Sequence, residues 1–157
     1  MRPRRLWGAS GRPLNFTVRR QHSPRMFFAD LTPYTYGWWP KPPRNHVLNV
    51  GWLSCEHRFT TGEVSDSFVR ALRRLISSPV FIPVGTATAM GFHECEFCSP
   101  TGAEKLAMGT GELWVPGTGD LIYVAPKLVA HYIEAHGYLP PQEFMEAVVA
   151  FQDAVGA

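Results

Sequence analysis

Long apolar runs are missing from this 157-residue chain, cysteines number only three, and no acidic side chain occurs in residues 1–25. Without an apolar stretch of about 20 residues no membrane-spanning helix is expected, and no hydrophobic signal segment with a small-residue cleavage site is recognisable. Three cysteines cannot all pair within one chain, and two of them stand at C-x-x-C. That pattern argues against a secreted disulfide framework and for reduced thiols or a metal, so the expectation is a soluble, cytoplasmic protein. The acid-free segment holds seven arginines, whereas residues 26–157 hold eight basic and thirteen acidic side chains. The basic character therefore belongs to the N-terminal segment. A mildly acidic domain lacks the positive surface that phosphate binding needs, which argues against nucleic acid as a partner and leaves a protein or a small molecule.

What is present suffices for one ordinary domain with a core of its own. Residues 1–26 read as a basic, flexible extension, with interspersed Gly, Pro and Ser and no helical face. A transit segment is the other reading of this composition, although its prolines disfavour the continuous amphipathic helix expected there, and Met26 before FFADLTPY is an alternative start. Residues 27–157 read as a single compact domain. Asp30–Pro43, with four prolines, two tyrosines and two tryptophans, predicts an irregular loop whose aromatics cover apolar surface. Val47–Leu53 predicts a strand, with Gly51 a bulge or a close-packing point. Ser65 caps a helix to Ile76, whose stripe of Phe68, Val69, Leu72, Leu75 and Ile76 predicts burial, while Arg70, Arg73 and Arg74 face solvent. Pro79 stops that helix and Val80–Val84 predicts another strand. ELWV, PGTG and DLIYV form a hairpin pattern between Gly111 and Val124. A helix then starts at Pro126 and ends at Gly137, and Pro140 and Pro141 open another with Phe144, Met145, Val148, Val149 and Phe151 on its apolar face. The fold class is therefore α+β: a small, mainly antiparallel sheet packed with about three helices, with a structural metal turn.

The turn is GFHECEFCSPTG, residues 91–102. Cys95 and Cys98 are spaced to direct two thiolates at one ion, and His131 and His136 in HYIEAH add a pair at a spacing found in Cys₂His₂ zinc sites. The hairpin between the pairs gives the strand–strand–helix order of a zinc finger, though the long intervening segment departs from that small pattern. The candidate metal ligands are thus Cys95, Cys98, His131 and His136, and the candidate cofactor is zinc. Helix geometry complicates the set, because a five-residue offset turns two side chains by about 140°, which calls for distortion at the final turn beside Gly137. A core hydrogen-bonding role for His136 is the bland alternative. His93, in H-x-C-x-x-C, is the substitute ligand or a neighbour that orients one. Two nearby cysteines favour zinc over an iron–sulfur cluster, and Cys55 reads as an isolated buried thiol.

Other chemistries are less well supported. The C-x-x-C lacks a clearly following helix to stabilise a redox thiolate. A metal-dependent hydrolase or deaminase-like enzyme would need a carboxylate from Glu94, Glu96 or Glu134, yet the flanking pattern lacks the deaminase proline and the H-x-E partner. Ser54, Cys55 and His57 have suitable types for nucleophilic catalysis, but adjacency in sequence builds neither a base orientation nor an oxyanion hole. Gly109 and Gly111 lack the spacing and lysine of a phosphate loop and read as turn residues. The ordered set FADLTPYTY, NVGWL, HECEFC, GELWVP and HYIEAHGYLPPQEF resembles an uncharacterised bacterial protein family over most of residues 27–150. The resemblance implies a common fold and transfers no activity. An interaction or accessory role leads, because a four-ligand site is closed to water and no catalytic constellation accompanies it.

Overall fold

The computed structural model describes residues 26–35, 46–78, 93–98, 108–109 and 111–156. The extension (1–25), most of the proline- and aromatic-rich loop (36–45), the expected strand Val80–Val84 and the end of the metal turn at Pro100 and Gly102 lie outside the described residues. The described chain is α+β, with three helices and a mixed sheet. In order, β1 spans Val47–Asn49, α1 Asp66–Ser77, β2 His93–Glu94, β3 Met108–Gly109, β4 Glu112–Pro116, β5 Ile122–Pro126, α2 Val129–His136 and α3 Gln142–Gly156.

Strands β4 and β5 form the expected antiparallel hairpin, with Glu112 opposite Pro126 and Pro116 opposite Ile122. Gly119, at φ 63°, and the Gly117 N–H to Leu121 carbonyl bond of 2.7 Å close its turn. On the other edge of β5, β1 pairs parallel, Val47 to Ile122 and Asn49 to Val124. The sheet order is β1-β5-β4, and β2 and β3 make a separate antiparallel pair. The parallel pairing has no local sequence signal, because a crossover separates its partners by more than seventy residues, whereas a hairpin announces itself in its turn.

Both faces of this sheet are covered. Leu113, Val115, Tyr123 and Ala125 point into one core with Phe68 and Leu72 of α1, Val129 and Ile133 of α2, and Phe144 and Val148 of α3. The alternate residues Trp114 and Val124 join Tyr34, Val47 and Trp52 in a second core on the opposite face. Period-two alternation thus divides one hairpin between two hydrophobic environments. Trp52 stays in the second because its indole N–H donates to the Val124 carbonyl at 3.2 Å.

Helix α1 begins as expected, with Ser65 Oγ accepting from the Phe68 N–H at 3.3 Å and Asp66 in the first turn. Helix α2 starts three residues later than the sequence suggested. Pro126 closes β5, where its missing N–H falls at the end of the ladder, and Lys127 and Leu128 turn the chain into the helix. The far end is as expected: Gly137 at φ 65° caps α2, with N–H bonds from Gly137 to Ile133 and from Tyr138 to Tyr132. Gly51, at φ 71°, is a close-packing point, since a β-carbon there would lie 2.8 Å from Val129 Cγ2. Gly109 is not the turn residue expected but belongs to β3, and it approaches Leu128 so closely that a β-carbon would sit 2.7 Å from its Cγ. Segment 60–62 runs beside the end of α2, held by the Leu139 N–H on Thr60 O (2.8 Å) and the Gly62 N–H on Gly137 O (3.1 Å).

Candidate metal centre

Cys95 follows β2 and opens a tight turn to Cys98, whereas His131 lies in the first half of α2 and His136 is its last residue. The fold brings these four side chains together, with one ligand atom from each and all four atoms within 4.8 Å of one another. Cys95 Sγ lies 3.2 Å from His136 Nε2, Cys98 Sγ 3.3 Å from His131 Nε2 and 3.6 Å from His136 Nε2, and the two Nε2 atoms are 3.2 Å apart. The five-residue offset is overcome without breaking the helix, which stays α-helical through His136. Both imidazoles use the distal nitrogen, whose reach beyond the backbone lets two rings converge from different directions on the helix.

Direct hydrogen bonding within the cluster does not account for this arrangement. His136 Nε2 faces three polar atoms at once, and an imidazole nitrogen has either one N–H or one lone pair to offer. A tetrahedral ion with bonds of about 2.0–2.1 Å to nitrogen and 2.3 Å to sulfur separates its ligand atoms by roughly 3.3–3.8 Å. Four of the six separations, at 3.2 to 3.6 Å, lie close to that range, and all six are within 4.8 Å. The cluster is therefore Cys₂His₂-like and capable of coordinating a metal.

The electrostatics agree with that chemistry. Burial pushes the Cys95 thiol up to about 11, against which the backbone N–H groups of Phe97 and Cys98 donate to its sulfur and favour the thiolate. A bound cation would complete the deprotonation. His136 is shifted down, first by burial and then by His131 beside it, which favours the neutral imidazole that ligates metals.

The residues around the cluster attach it to the rest of the molecule. Between the cysteines, Glu96 Oε2 accepts from Ser54 Oγ and from the Cys55 N–H, each at 3.1 Å. Phe97 packs against His136 (centroids 5.2 Å), Tyr132 (5.9 Å) and Phe59 (5.3 Å). Neither link was legible in the sequence, where Glu96 was a candidate proton-transfer carboxylate and Phe97 had no assigned role. Glu134 is engaged too: Arg73 grips it in two places, with Nε at 2.6 Å from Oε1, joining α1 to α2. Two of the three carboxylates considered as proton-transfer groups are thus committed to structural bonds, and Glu94 is exposed on β2.

Ser54, Cys55 and His57 do not assemble as a nucleophilic site. Ser54 is buried and donates to Glu96, while the His57 ring stacks on Phe27 at 3.7 Å. Cys55 is exposed rather than buried, because the chain leaves the core after Ser54 and turns, with the His57 N–H on the Ser54 carbonyl at 3.1 Å. His93, in β2, pairs through its backbone with Gly109 of β3, and its side chain lies outside the described residues. Among the described residues no helix is long and apolar enough to cross a membrane.

Residues 26–149 match a family described as Domain of unknown function (DUF7919), and the chain belongs to that family. No curated protein and no solved structure matches the chain.

Proposed function

We propose that the chain is a zinc-binding domain in which Cys95, Cys98, His131 and His136 hold one structural ion, and that it serves an interaction or accessory role in the cytoplasm. The supporting observation is the convergence of four ligand atoms within 4.8 Å, drawn from a turn and a helix more than thirty residues apart. Two thiolates with two imidazoles suit zinc better than the harder cations. On this reading the folded unit is residues 27–157, residues 1–26 are a basic extension, and the partner is a protein or small molecule. The ordered motifs from FADLTPYTY to HYIEAHGYLPPQEF would be the family's common signature, in bacterial proteins.

Elemental analysis of protein purified without added metal, under reducing and non-chelating conditions, tests this directly. Roughly one zinc per chain is expected; protein that folds and carries none would defeat the reading. A metal-dependent hydrolase or deaminase-like enzyme is the second reading, favoured by the incomplete burial of Cys98, His131 and His136. It requires an open coordination position and a carboxylate free to move a proton, and Glu96 and Glu134 are already bonded elsewhere. X-ray absorption on the metal-bound protein separates the two, since four protein ligands and no exchangeable water mark a structural ion.

A further inference from the structure

Phe27, Phe28, Ala29, Asp30, Leu53, Arg58, Phe59 and Thr60 line an open pocket of about 370 Å³. That volume is in the range of small-molecule sites, and the lining is as much polar as apolar, with three phenylalanine rings beside Asp30, Arg58 and Thr60. The two charges in the lining differ in what they have left to offer. Asp30 is spent on the fold: Oδ1 accepts from the Gly51 N–H at 2.8 Å, and Tyr138 OH donates to both oxygens at 2.8–2.9 Å. Burial raises the Asp30 carboxyl above its ordinary value, opposed by those two donors. Arg58 is exposed, and no ion pair among the described residues holds its guanidinium.

The backbone beneath the pocket is held in an unfavourable conformation. Leu31, immediately after Asp30, has φ 62°, a region that glycine and asparagine fill far more readily than leucine. The Leu31 N–H on Asn49 O (2.8 Å) and the Asp30 bonds keep it there. Such strain persists only where the surroundings over-determine it, and it gathers at ligand sites. The 53–60 part of the lining is held as well, by Glu96 on Ser54 and Cys55 and by Phe59 against Phe97 and Tyr138. A pocket with both parts held in advance loses little on binding.

We propose that this pocket binds a small aromatic carboxylate, its ring against the phenylalanines and its anion on Arg58. Among the described lining residues the guanidinium is the charge not used internally, and its planar fork matches a carboxylate. The Asp30 carboxylate repels the anion from the half-buried side and so orients the ligand with its charge outward. The proposal does not depend on the metal reading.

Phenylacetate added to the full-length protein as purified, followed by backbone amide shifts, provides the test. Saturable shifts at residues 27–30 and 58–60 are expected, with a Kd of about 1 mM for so small a probe. Acetate, lacking the ring, and benzylamine, carrying the opposite charge, should bind at least about fivefold more weakly. Arg58→Gln should weaken phenylacetate about tenfold and Arg58→Lys by less, with unfolding midpoints unchanged because the side chain is exposed. Absence of saturable shifts at these residues, equal binding of acetate or benzylamine, or full affinity in Arg58→Gln would each overturn the proposal.

Discussion

Glu112 is a carboxylate with only 6% of its surface exposed, and it is satisfied by neutral donors, Tyr34 OH on Oε1 at 2.8 Å and the Trp114 indole N–H on Oε2 at 3.0 Å. Burial raises its carboxyl above the ordinary value of 4.5, and the two hydrogen bonds offset part of that rise. The native state therefore keeps a proton at pH values where the unfolded chain has lost it. Stability is greatest at and below 4.5 as far as this group is concerned, and declines as pH rises through the folded value. Glu112→Gln, which cannot titrate, should flatten the slope of unfolding free energy against pH above 4.5, as urea titrations at several pH values would reveal. An unchanged slope would place the titrating group elsewhere, Asp30 first, since burial raises it too. At the proposed metal ligands the sequence was legible for a chemical reason, because few side chains bind metals and their spacing is constrained. Cys98→Ser should lower zinc occupancy and cost more than about 2 kcal/mol of stability, since a neutral hydroxyl does not replace a thiolate. Glu112, by contrast, gave no sign in the sequence of being buried, because a carboxylate in a strand ordinarily faces water.

At the level of elements, signals confined to a few neighbouring residues were readable and those spanning distant segments were not. The cap of α1 is local: Ser65 and Phe68 stand three residues apart, and Ser65→Ala should cost about 1 kcal/mol in chemical unfolding with the fold intact. The hairpin of β4 and β5 was local in the same way, through its glycines and proline. The parallel docking of β1, the pairing of β2 with β3 and the true start of α2 depend on tertiary contacts that override local preference. Gly51 shows both levels at once. Its φ of 71° and the 2.8 Å from a β-carbon to Val129 Cγ2 press β1's exit against α2, so Gly51→Ala combines backbone strain with overpacking. A loss of roughly 2–4 kcal/mol is expected by thermal or urea unfolding. A loss below about 0.5 kcal/mol would mean that α2 shifts aside readily, against the buried packing of Val129 and Tyr138.

For the molecule as a whole, the question is how much of the fold the ion would hold. The two cores flanking the sheet are extensive, with Phe68, Leu72, Val115, Val124, Phe144 and Val148 almost fully enclosed, and none of them belongs to the cluster. A core of this kind persists without metal, unlike that of a small zinc finger. What an ion would add is a cross-link between the 95–98 turn and α2, which closes a long loop and supplements the attachments of that turn through Glu96, Phe97 and the buried Cys95. Removing the metal with a chelator should therefore loosen the molecule unevenly. In hydrogen exchange followed by mass spectrometry, peptides covering 93–98, and to a lesser degree the 53–60 loop that Glu96 holds, should lose protection. Peptides covering β5 and α3 should keep most of theirs, because α3 packs against α1 and β4 rather than against the cluster. A version lacking residues 1–25 should reproduce this pattern and the metal content, since the proposed ligands all lie in 95–136. Uniform loss of protection on chelation would mean that the ion nucleates the whole domain. No loss anywhere would mean that the four side chains hold together without one, which the three-way crowding of His136 Nε2 argues against.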